Sequence, residues 1–95
     1  MLFALICTDR PASLDLRLKV RPEHVAYLNG LGNKLKSAGP FLDAAGEPNG
    51  SLVIVEADDI GGAHAIAAGD PYAKAGLFAA TDIRTWRWTI KNPEA

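Results

Sequence analysis

Leu2-Phe3-Ala4-Leu5-Ile6-Cys7-Thr8 near the start of the chain and Leu52-Val53-Ile54-Val55 near its middle are the two runs that decide the fold. Each is short, apolar and rich in branched or aromatic side chains, and neither alternates with polar residues. A strand with one solvated face alternates, so these two are expected to be buried on both faces. Asp9-Arg10-Pro11 ends the first run and Glu56 the second.

Working outward, two helical stretches follow the first strand, from about Ala12 to Val20 and from about Pro22 to Ser37. Pro22 is placed at the start of the second because a helix's first turn has no use for the missing N–H. Val25, Leu28, Leu31 and Leu35 recur at helical spacing and form its apolar stripe, which Gly39-Pro40 would stop. Phe41 to Ala44 reads as a short strand, joined through the turn-rich Ala45 to Gly50 to a strand from Ser51 to Glu56. Asp58 or Asp59 can cap a helix from Ile60 to Ala68, closed by Gly69. Asp70-Pro71 looks like a fresh cap with proline in first position, opening a short helix from Tyr72 to Ala75. Leu77 to Ile90 reads as a long strand rich in Thr, Ile and Trp.

The order is strand, helix, strand, strand, helix, strand: an α+β chain forming one domain over residues 1–95. Two helices cover one face of a four-stranded antiparallel sheet. The other apolar face therefore needs another apolar surface, and a second copy of the chain supplies it most simply. A chain of 95 residues also gains from such an interface, because small domains bury a smaller fraction of their surface. Trp86 and Trp88 share a side by strand parity and are expected in a core or at that interface.

Composition narrows the function classes. Hydrophobic residues make up 48% and charged residues 22%, so a packed core is expected and disorder is not. A formal charge of −1 without basic runs argues against nucleic acid, although Arg84, Trp86, Arg87 and Trp88 interleave cations with aromatics. The apolar run after Met1 is too short for a signal-peptide core or a membrane span, and the lone Cys7 fits a reducing compartment as a small core hydrophobe. A cytoplasmic location without membrane association is expected.

There is no Cys-x-x-Cys, His-x-x-x-His, glycine-rich phosphate loop or Gly-x-Ser-x-Gly, and neither a metal nor another cofactor is expected. Two histidines remain. His64 reads as a surface residue of the second helix. His24 borders the apolar stripe, where an imidazole either hydrogen-bonds a carbonyl or serves as a general acid or base. Asp70 likewise has two readings, a helix cap or the carboxylate that orients a histidine. Arg17 and Arg21 fall one turn apart if helix continues between them, and could hold a substrate carboxylate.

The stretch Arg17-Leu18-Lys19-Val20-Arg21-Pro22-Glu23-His24, then Ala38-Gly39-Pro40, then Asp70-Pro71-Tyr72 with Ala75-Gly76-Leu77-Phe78, resembles the YciI-like (YCII-related) family. The resemblance implies a ferredoxin-like βαββαβ fold assembled as a homodimeric α/β barrel through the sheet faces, similar to muconolactone isomerase. It implies a site between sheet and helices in which His24 and Asp70 act together; Arg17, Arg21 and Tyr72 are the candidate residues for binding a small-molecule ligand there. Lyase-type chemistry, such as dehydrochlorination of an aromatic, is associated with the group. The short connection Ala45 to Gly50, longer in some members, is a departure that bears on substrate choice.

The expected function is thus a cofactor-free lyase or isomerase acting on a small anionic or cyclic organic compound. In it His24 moves a proton, Asp70 fixes the imidazole's tautomer, and Arg17 or Arg21 holds a carboxylate or enolate. The alternative is a non-catalytic dimeric module that binds a small ligand or serves an enzyme partner. A third reading, an oxygen-using monooxygenase of the related dimeric barrels, ranks below both.

Overall fold

The computed structural model describes residues 1–95. Strand β1 (Leu2–Asp9) leads into helix α1 (Leu14–Gly30), and a single 3-10 turn at Gly32–Lys34 enters β2 (Leu35–Leu42). Then come β3 (Pro48–Glu56), α2 (Ile60–Gly69), the one-turn α3 (Pro71–Lys74) and β4 (Phe78–Trp86). The sheet order is β2-β3-β1-β4 with every pairing antiparallel, the ferredoxin-like arrangement expected from the sequence.

The two doubly apolar runs pair with each other at the centre, Phe3 opposite Val55 and Leu5 opposite Val53. Parity then sorts the side chains. Phe3, Leu5, Cys7, Val53 and Val55 pack with Leu28 of α1 and Ala63 of α2 into the core. Burial pushes the Cys7 thiol up to about 11, against a smaller downward pull from Thr81, so it packs as a neutral hydrophobe. Residues of the opposite parity, Ala4, Ile6, Leu52 and Ile54, point away from the helices. On that side they form with Trp86 and Trp88 a shallow apolar depression. The two indoles lie with ring centroids 5.7 Å apart, and Trp86 is 38% exposed.

Several element boundaries differ from the sequence reading, among them the start of β2, which is Leu35 and not Phe41. One helix, α1, replaces the two expected, with Pro22 inside it. A proline there leaves the carbonyl four residues back, that of Leu18, without its N–H, and the helix tolerates this on a side where Leu18 is 54% exposed and Pro22 exposed. The helix also stops at Gly30, not Ser37, because Gly32 turns left-handed at φ 60°; Leu31 caps it and Leu35 is already strand. Gly39-Pro40 consequently sits within β2, an edge strand where proline's missing donor is tolerated. The β2–β3 connection is tighter than expected, closed by Asp43 Oδ1 accepting the N–H groups of Ala45 and Glu47. Finally, β4 ends at Trp86 and not Ile90. Trp86 pairs with Leu2, the first residue of β1, and no strand remains beyond it.

The helices are locked together at one close approach. Tyr27 of α1 donates its hydroxyl proton to the Ile66 carbonyl at 2.7 Å, and Gly69 makes room for that ring. A Cβ at position 69 would stand 2.5 Å from the Tyr27 hydroxyl oxygen. Gly69→Ala is therefore expected to lower stability by about 1–3 kcal/mol in urea unfolding, through displacement of Tyr27 from Ile66. An unchanged midpoint would mean that this contact does not hold α1 against α2.

Candidate functional site

His24 lies in the middle of α1, not in a first turn, and its burial brings it against the junction between α2 and α3. At that junction Asp70 is the N-cap of α3, its Oδ1 accepting the Tyr72 backbone N–H at 2.9 Å. Both carboxylate oxygens also lie 2.9 Å from His24 Nδ1. Asp70 is thus a cap and a histidine partner at once. An ionised carboxylate only accepts, so this contact favours the hydrogen on Nδ1, which in the neutral imidazole leaves the Nε2 lone pair free. Nε2 has no protein partner, yet no buried side-chain nitrogen or oxygen lacks one, so Nε2 is reachable from solvent.

The Tyr72 ring stacks on His24 with centroids 3.9 Å apart and planes within 16°, and Phe78 meets it edge-on at 5.9 Å. The Arg17 guanidinium lies 4.7 Å from the centroid of the same ring. Burial, with the charge of Asp70 adding, raises the Tyr72 phenol above its ordinary value even though Arg17 and Arg21 pull it down, so Tyr72 is a neutral phenol. Arg17 itself is committed to a fork: Nε donates to Asp9 Oδ2 at 2.6 Å and Nη2 to Asp9 Oδ1 at 2.9 Å. Nη2 also donates to Ser51 Oγ at 2.9 Å. Burial works against the cation, but the hydrogen bonds and charge of Asp9 outweigh it and raise the Arg17 pKa.

These groups line a cleft of about 370 Å³ between α1 and the β2–β3 side of the sheet, a volume suited to a small ring compound. Arg17, His24, Ser51 and Tyr72 are its polar lining, Leu28, Leu35 and Val53 part of its apolar lining, and the exposed Arg21 also borders it. All five candidate residues from the sequence therefore converge: His24, Asp70 and Tyr72 in direct contact, Arg17 beside them, Arg21 at the rim. His64 stays exposed on α2. Asp9 and Ser51 escaped the sequence reading. Both share strand parity with core residues, Asp9 with Phe3, Leu5 and Cys7, and Ser51 with Val53 and Val55. A polar side chain on a core face was the available signal. No group of three or more metal-ligating side chains gathers anywhere, and no helix is long and apolar enough to cross a membrane.

The YCII-related domain matches residues 1–87. The chain belongs to this family. Protein YciI of Escherichia coli is 35% identical over 95 residues, 92% of this chain and 97% of that protein. Among solved structures, 5-chloro-2-hydroxyhydroquinone dehydrochlorinase (TftG) from Burkholderia phenoliruptrix, in complex with 2,5-dihydroxybenzoquinone, is 38% identical with a TM-score of 0.88. That match covers 97% of this chain and 99% of TftG. A NIPSNAP family protein from Agrobacterium tumefaciens, 19% identical with a TM-score of 0.58 over 97% of this chain and 95% of its own, shares the fold alone.

Proposed function

We propose that this member of the family is a cofactor-free lyase or isomerase that moves a proton on a small, acidic ring compound. The observation that carries the reading is the buried His24–Asp70 pair, with Nδ1 held by the carboxylate and Nε2 left open beside a ring-sized cleft. The likeness to TftG, a dehydrochlorinase in complex with a dihydroxyquinone, supports both the reaction type and the substrate class.

Nε2 takes a proton from a carbon or hydroxyl acidified by a neighbouring carbonyl, and the electron pair moves onto the carbonyl oxygen as an enolate. Asp70 faces the resulting imidazolium and stabilises it without itself taking the proton. The enolate then either expels a leaving group such as chloride, which is elimination, or is reprotonated at another atom, which is isomerisation. Arg21 bordering the cleft and the Arg17 cation behind Tyr72 favour the negative charge that develops. The helix-free sheet face, with Ala4, Ile6, Leu52, Ile54 and Trp86, is the surface through which two copies pair as a homodimer.

The test is chloride release from 5-chloro-2-hydroxyhydroquinone and turnover of related acidic ring compounds. His24→Ala is expected to lose about 10²–10⁴-fold in kcat, the usual worth of a positioned acid–base group, with Asp70→Asn losing less. Wild-type turnover by both variants would overturn these roles. Retained ligand binding in a protein without turnover on any such compound would favour the accessory-module reading instead. Sedimentation equilibrium should return twice the chain mass of 10.1 kDa, and a monomer at micromolar concentration would contradict the pairing.

A further inference from the structure

Two hydroxyls in the cleft are unspent. Ser51 Oγ accepts from Arg17 Nη2 at 2.9 Å, which occupies a lone pair and leaves the hydroxyl proton without a protein acceptor. The Tyr72 hydroxyl donates to no protein group either, and because no buried side-chain oxygen lacks a partner, it too is reachable from solvent. Both residues line the same cleft, and both are otherwise almost fully enclosed, at 3% and 1% exposure. What little of them is open faces the ligand space.

We propose that Ser51 and Tyr72 form a two-hydroxyl anion subsite, donating hydrogen bonds to an ionised oxygen of the ring compound that His24 deprotonates. The inference rests on the acid–base reading of His24 and makes it more specific. Arg17 then acts as a positioning residue for the Ser51 hydroxyl. Asp9 takes the Nε–Nη2 edge of the guanidinium and Ser51 the other Nη2 hydrogen, so part of the Arg17 charge reaches the ligand through the Ser51 hydroxyl and the Tyr72 ring. A hydroxyl whose oxygen already accepts from a cation is a better donor than a free one, because hydrogen bonds in series polarise one another. Such a site prefers oxygens carrying negative charge over the same oxygens capped by methyl groups. It selects enols and phenols acidic enough to be ionised when they bind.

The probes are 2,5-dihydroxybenzoquinone and 2,5-dimethoxybenzoquinone, which share a ring and differ in whether the oxygens ionise. Binding is followed by the visible absorbance of the quinone, in wild type, Tyr72→Phe, Ser51→Ala and His24→Ala. Wild type is expected to favour the dihydroxy compound by at least about tenfold, since hydrogen bonds to charged groups are the strong ones. Tyr72→Phe, which keeps the ring on His24, and Ser51→Ala should each reduce that preference about tenfold. A purely structural role would weaken both ligands alike and leave their ratio untouched. An unchanged ratio in both variants overturns the subsite. Failure of wild type to bind the dihydroxy compound overturns the subsite and the proposed substrate class together. Tight, selective binding with full turnover by His24→Ala would sink the catalytic reading while leaving the subsite standing.

Discussion

The Asp70 carboxylate joins parts of the molecule that the chain separates by 46 residues. Oδ1 caps α3 through the Tyr72 N–H, while both oxygens hold His24 on α1. The imidazole in turn supports the ring of Tyr72, the second residue of the helix that Asp70 caps. A hydrogen-bonded carboxylate with its capped helix and its histidine makes a closed loop of contacts, so displacing one member loosens the other two. Supporting that loop is an approach of helices that Gly69 permits, with Tyr27 reaching over it to Ile66.

Beside this loop stands a second buried pair, Arg17 with Asp9, whose side chains are 5% and 4% exposed. Burying two charges is costly, and the attraction between them returns that cost only where the geometry is good and the remaining donors are satisfied. Here the guanidinium forks onto one carboxylate and gives a further bond to Ser51. With the polar groups of the cleft engaged in these two networks, the rest of its lining is largely apolar. A ring can lie against Leu28, Leu35 and Val53 while its oxygens meet hydroxyls and imidazole.

Much of the fold was legible because its signals are local. The unbroken apolar runs at Leu2 and Leu52 give strands buried on both faces, and both faces of β1 and β3 are indeed apolar. Asp59 caps α2 and Asp70-Pro71 opens α3 as their residue types suggest. The boundaries that shifted did so where tertiary context overrides local preference: Pro22 on a solvent-facing turn, and Leu35 drawn into pairing with Val55 although its spacing continues a helical stripe. For the site, resemblance pointed to His24 with Asp70, since spacing cannot bring distant residues together. The polar residues around Arg17 were harder to read, because Asp9 and Ser51 look like an ordinary strand end and an ordinary strand start.

The family fold sets the frame, and the proposed chemistry depends on one proton. If Asp70 fixes the imidazole, neutral His24 carries its hydrogen on Nδ1 and offers a bare Nε2 to the cleft. Nitrogen-15 NMR of the histidine ring reads this directly, with His24→Gln assigning the signals against His64. The expected result is a neutral His24 protonated on Nδ1 that loses this preference in Asp70→Asn. A neutral His24 protonated on Nε2 would remove the base from the cleft and contradict the mechanism at its root.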